Sequence, residues 1–140
     1  MVPTNYFAVL ASVVSAMFIG FLWYGPLFGK KWIALMGWTP EQVAEGIKKG
    51  MGKQYALMAL GALIMAFVMS HAIVFAGAYM NATGISAGIQ TALWSWLGFV
   101  VPVLLGATLW EGRKWGLFVL TSGYYLATLL AMGLILGMWV

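Results

Sequence analysis

Charge-free apolar stretches alternate along the chain with two short charged segments. Residues 1–29, 54–110 and 115–140 carry no Asp, Glu, Lys or Arg. Lys30, Lys31, Glu41, Glu45, Lys48, Lys49 and Lys53 fall in one intervening segment, and Glu111, Arg113 and Lys114 in the other. An uncharged apolar run of about 18 or more residues is long enough to cross a bilayer as a helix. The middle stretch is too long for one crossing, and Asn81-Ala82-Thr83-Gly84 supplies turn chemistry that divides it. The pattern predicts an all-α membrane protein of four antiparallel transmembrane helices, over 6–26, 54–78, 85–110 and 115–139, in a single domain covering 1–140. Spans of roughly 21–26 residues reach about 31–39 Å, enough to cross with some tilt.

Composition agrees. The chain is 64% hydrophobic and 7% charged, whereas a soluble domain carries about 25% charged residues. The N-terminal run lacks a basic leader and ends in Tyr24-Gly25-Pro26 rather than a small-residue cleavage site, so it is expected to be a retained first span. The absence of cysteine removes disulfides, thiol nucleophiles and dithiol redox chemistry. A net charge of +4 raises nucleic acid as a partner, but the charges are confined to loops beside the membrane, and no nucleic-acid partner is expected. All seven Lys and Arg lie in connections 1–2 and 3–4, which share one face. The positive-inside rule makes that face cytoplasmic, with both termini outside the inner membrane.

The first connection, 28–51, carries its own helix signal. Thr39-Pro40-Glu41-Gln42 has the form of a capping box, with Trp38 and Val43 as a hydrophobic staple. Val43, Ile47 and Met51 give an apolar face, and Gly50 suits the end. A short interfacial helix facing anionic lipid headgroups is expected, with a partner-docking helix as the alternative. Within the spans, Gly84 and Gly88, Gly133 and Gly137, and Ala62, Ala66 and Ser70 are four apart, a spacing that lets helices approach closely in lipid. Small-residue faces on several spans predict a homodimer or homotrimer. Pro102 cannot donate to the Gly98 carbonyl, so a kink is expected near 98–102.

The strings LWYGPLFGKKW near the end of the first span, GWTPEQ after it, and LWEGRKWGLFVLTSGYYLATLLAMGLIL near the C-terminus resemble the bacterial domain-of-unknown-function family numbered 1761. That resemblance covers most of the chain. It implies a small protein with four spans and carries no activity with it.

Two sets of residues are candidates for chemistry. Ionisable groups inside a membrane are functional suspects, and His71 is the one such group here. Gln90, Ser95 and Ser12 fall at comparable depth in an antiparallel bundle. The alternatives are an interhelical hydrogen bond with neutral histidine, a proton-relay or ligand-orienting role, or metal or haem binding. Met65 and Met69 nearby would suit copper(I), although methionines in an apolar chain are more often packing material. The second set lies at the Lys-rich end: Trp23, Tyr24, Gly25, Trp110, Glu111, Trp115 and Tyr124. Such a set can form an aromatic pocket with one carboxylate, suited to an organic cation. It can equally be an interfacial aromatic belt with Glu111 paired to Lys30, Lys31 or Arg113. Trp23, Tyr24 and Trp32 fit a belt, and Pro26 ends the first span. Gly20, Gly25 and Gly29 exceed what anchoring needs and point to a close backbone contact with a helix or ligand.

No carboxylate lies inside the first span, unlike small proton-coupled multidrug exporters. The charged helices of membrane glutathione and eicosanoid enzymes are also missing. Phosphate-cradling loops, metal-ligand clusters and nucleophile–base pairs are unrecognisable, so no cofactor is expected. The expected function is non-enzymatic handling of a small or lipophilic molecule in the lipid bilayer, as a transporter, permeation or binding subunit. The alternatives are an accessory subunit of a larger membrane complex or, third, a lipid-modifying enzyme using His71.

Overall fold

The structure, a computed structural model, describes residues 2–139. Among them every regular element is helical: α1 (Tyr6–Leu22), a π-helical segment (Trp23–Leu27), α2 (Gly29–Met36), α3 (Pro40–Lys49), α4 (Gly52–Met80), α5 (Gly84–Ser95), a second π-helical segment (Trp96–Val100), α6 (Val101–Trp110) and α7 (Trp115–Met138). Four stretches are long and apolar enough to cross a membrane: Tyr6–Leu27, Gly52–Met80, Gly84–Trp110 and Trp115–Met138.

Local chemistry explains where these helices begin and end. The Asn5 side chain accepts from the backbone N–H groups of Phe7 and Ala8 and starts α1. Asn81, at φ 50°, closes α4 in the left-handed conformation that Asn tolerates. The capping box at Thr39 forms as the sequence implies: Gln42 N–H donates to Thr39 Oγ1 at 3.2 Å and Thr39 N–H donates to Gln42 Oε1 at 2.9 Å. The connection nevertheless holds two helices where one was expected. α2 occupies Gly29–Met36 and stops at Gly37, whose φ of 70° places it in the region glycine enters most readily.

Both helix interruptions are wide turns next to a proline. Pro26 lies inside the first and Pro102 follows the second. Proline donates no backbone hydrogen bond, and a π-bulge is one way a helix accommodates the loss. The expected bend near 98–102 is thus taken up slightly earlier, over Trp96–Val100.

The core centres on α7, the most buried span. α5 lies along it so closely that a Cβ built on Gly88 would overlap the Gly133 carbonyl, and one on Gly133 the Gly88 carbonyl. A Cβ on Gly137 would come 2.6 Å from the Gly84 carbonyl. The two glycine pairs seen in the sequence therefore face each other. Ala8, Val9, Ser12 and Ala16 of α1 are buried, as are Ala66, Met69, Ser70 and Ile73 of α4. These two helices pack on each other and on α7. α3 contributes no buried residue. The Lys-rich connections lie at one end of the bundle, and the 81–83 turn lies at the other.

Candidate functional site

At the Lys-rich end, α2 follows the wide turn after α1 and packs against that turn and α7. Gly29 permits this: a Cβ there would lie 2.9 Å from the Tyr24 carbonyl. Trp32 on α2 is thereby brought against Tyr24, with ring centroids 4.9 Å apart. Tyr24 in turn meets Tyr124 of α7 edge-on at 5.2 Å. Trp38 continues the series beyond Trp32 at 5.0 Å, and Tyr125 continues it beyond Tyr124 at 5.0 Å. Edge-on and tilted pairs suit the aromatic quadrupole.

A half-open cavity of about 390 Å³ lies along this row of rings. Ala16, Met17, Gly20 and Phe21 of α1 form one wall, with Tyr24 and Gly25 of the wide turn. Trp32 of α2, Tyr124 of α7, and Met51, Gln54, Tyr55 and Met58 at the start of α4 complete the lining. The volume falls within the range of small-molecule sites, about 300–1,000 Å³. No charged side chain lines it. Among the described residues, the Trp32 indole N–H, the Gln54 amide and the Tyr55 hydroxyl have no hydrogen-bond partner within the protein. By contrast, the Trp23 indole N–H donates to the Leu120 carbonyl at 3.0 Å, and that of Trp96 to the Ser122 carbonyl at 2.8 Å.

The expected aromatic set therefore divides. Tyr24, Gly25 and Tyr124 share the cavity. Trp23 does not: its ring packs on Gly123, where a Cβ would lie 3.1 Å away, and its N–H is used on α7. Trp110 is 88% exposed, Trp115 is 60% exposed, and neither borders the cavity. Glu111 accepts from Arg113 Nε at 3.1 Å in an exposed pair and is likewise outside it. The pocket with a carboxylate is thus corrected to a pocket without one.

The three glycines at 20, 25 and 29 have three uses. Gly20 makes room for Tyr124, whose hydroxyl would sit 3.2 Å from a Cβ there; Gly29 makes room for the Tyr24 carbonyl; Gly25 faces open space beside the cavity.

The intramembrane polar set does not converge. His71 Nδ1 lies 2.9 Å from the Phe67 carbonyl and 3.2 Å from Ser70 Oγ, all on α4. Gln90 donates to Ser86 on its own helix, and Ser12 Oγ donates to the Ala8 carbonyl at 2.8 Å. Ser95 makes no side-chain bond among the described residues. The expected interhelical bond from His71 is replaced by bonds within a helix, because each polar group finds a carbonyl or hydroxyl one turn back. Among the described residues no three His, Cys, Asp or Glu side chains gather as a metal site would need. A second cavity, about 350 Å³, lies at the other end between Pro3, Asn5, Ser70 and Trp139.

Sequence reasoning missed the α4 wall and the role of Trp32. A signal was present. The first connection joins the end of one span to the start of the next, so Gln54 and Tyr55 must lie at the depth of Tyr24.

Four long apolar helices with no carboxylate inside them define a multi-pass helical membrane protein. The family model described as "Protein of unknown function (DUF1761)" matches residues 7–137, and the chain belongs to that family. No curated protein and no solved structure matches it.

Proposed function

We propose that this protein binds a small lipophilic molecule at the cytoplasmic face of the inner membrane and serves as a transporter, permeation or binding subunit rather than an enzyme. The observation that carries this reading is the half-open aromatic cavity between the Tyr24 turn, Trp32 and the start of α4. Its walls are mostly apolar and its unpaired donors are few, the usual composition of a site that holds one small molecule. The seven Lys and Arg at the same end support a cytoplasmic orientation for it. His71 is bonded to its own helix, with no carboxylate, thiol or second histidine inside the spans, which disfavours lipid-modifying chemistry.

The test is identification of molecules that co-purify with the protein in mild detergent, compared with a Gly25→Leu variant. A Cβ at Gly25 meets no atom within 4 Å, but Gly25 is the non-helical break in the wide turn (φ −115°, ψ −105°), so Met58→Trp, which obstructs the same cavity from the regular helix α4, is measured beside it and should lose the ligand likewise. The reading predicts a defined lipophile in the parent and its loss in both variants. Equal content in parent and variants would overturn it.

The rival reading, an accessory subunit or a self-associating one, draws on span Gly84–Trp110. It is the least buried of the four and exposes Trp94, Leu97, Phe99 and Val103. A homodimer or homotrimer through this face predicts a multiple of 15.2 kDa by mass measurement in several gentle detergents. A monomer in all of them would contradict self-association.

A further inference from the structure

The cavity is uncharged inside, but the helix turns that supply Trp32 and Gln54 to it carry lysines. Lys31 precedes Trp32 on α2, with Lys30 in the same turn, and Lys53 precedes Gln54 in the first turn of α4. All three lysines are exposed. Among the described residues none of the three has a carboxylate within salt-bridge distance: Glu45 pairs with Lys49 at 3.3 Å and Glu111 with Arg113. The remaining acid, Glu41, lies in the first turn of α3, and no carboxylate lines the cavity. α4 adds to the same sign. Its N-terminal turn carries no acidic residue and no side-chain cap, so its end presents partial positive charge beside Met51 and Gln54. The polar groups left without a partner in the lining include three donor-bearing side chains, the Trp32 indole, the Gln54 amide and the Tyr55 hydroxyl. A cation entering this site would meet aromatic faces and no carboxylate, with three lysines and no acidic partner for them on the bordering turns.

We propose that the cavity takes an anionic amphiphile. Its alkyl chain lies among Met17, Phe21, Tyr24 and Met58, and its carboxylate or phosphate head is held at the rim by Lys31 and Lys53. Methionines suit a flexible chain because they adapt to irregular shapes. The anion replaces the water that would otherwise solvate two lysines and a helix end, which gives the preference its sign. This rests on the lipophile-binding reading above and adds the charge of the ligand to it. A free fatty acid and a membrane phospholipid share the required chemistry.

The test uses the full chain in nonionic detergent and direct binding of four tritiated probes: laurate, lauroyl-lysophosphatidylglycerol, dodecanol and dodecyltrimethylammonium. The Gly25→Leu and Met58→Trp variants together give the background. The expected result is that an anionic probe binds about tenfold more tightly than dodecanol at low salt, with dodecyltrimethylammonium weakest. The preference should shrink at high salt, as screening of exposed charges requires. Lys31→Gln and Lys53→Gln should each lower anion binding several-fold and leave dodecanol unchanged. Lys48→Gln, on α3, should change neither. Laurate exceeding the lysophospholipid identifies a free acid as the ligand, and the reverse order identifies a membrane lipid. Both orders support the proposal. Dodecanol binding as tightly as the anions, or lysine variants without effect on them, would overturn the charge preference while leaving the cavity reading intact. No probe above background would overturn the cavity reading itself.

Discussion

The α5–α7 seam and the Tyr24 end of the bundle are built from similar residues and reach opposite outcomes. Along the seam, Gly84 and Gly88 face Gly137 and Gly133, and backbone meets backbone with no room for a methyl group. At the other site glycines receive large rings instead: Tyr124 at Gly20 and Trp23 at Gly123. There the chain also passes through a wide turn, and a cavity of about 390 Å³ stays open. Lipid is as apolar as the side chains, so no hydrophobic force closes a gap between helices; shape does. Where shape is two flat glycine faces, the contact is complete. Where it is a row of aromatic rings beside a bend, it is not. The first region holds the fold and the second is free to hold something else.

The sharpest way to break this contrast is to add volume to the seam. Gly88→Leu should be the most damaging substitution, because the side chain meets the Gly133 backbone rather than a movable group. Overpacking of this kind costs about 1–3 kcal/mol and sometimes more. Unfolding in mixed micelles should show a loss at or above that range. Gly98→Ala, where a Cβ meets nothing within 4 Å, should change stability by less than about 1 kcal/mol in either direction.

Trp23→Phe comes next. It removes the N–H that donates to the Leu120 carbonyl, an interhelical bond worth about 0.6–1.7 kcal/mol in membrane proteins. Stability should fall by about that amount while ligand occupancy stays at the parent level, because Trp23 does not line the cavity. Trp32→Phe should show the reverse. Its indole N–H has no partner in the protein, so stability should hold while occupancy falls. A matching change in both variants would mean that the two tryptophans are not divided between fold and site. The smallest effect belongs to Glu111→Gln. Its pair with Arg113 is exposed, and such pairs are worth about 0–1 kcal/mol. Binding should be unchanged by it, and a loss of binding would restore the carboxylate to the site.

The spans were legible because charge is absent from them and concentrated between them. The capping box at Thr39 was legible because its chemistry is local. The glycine seam was half legible: spacing marked both faces, and only the structure paired them. The site was the least legible part. Sequence gives the depth of a residue in a four-span protein and not the direction its side chain takes around the helix. Trp23 and Tyr24 are adjacent and at one depth, yet one turns to α7 and the other to the cavity. Trp110 and Trp115 share that depth and face away from it. Trp32 was read as a membrane anchor because nothing local announced α2, which ends only through the left-handed Gly37.

The central claim is that the Tyr24 end holds a lipophilic ligand and the exposed faces of the spans hold only bulk lipid. Photo-crosslinking in vesicles tests it most directly, using a fatty acid with a diazirine on its chain and mass spectrometry of the labelled peptides. The account predicts adducts concentrated on Met17, Met51, Tyr55, Met58 and Tyr124, suppressed by excess unlabelled acid and in Gly25→Leu. Labelling spread over Phe99, Val103 and other lipid-facing positions, with no enrichment at the cavity and no competition, would contradict it.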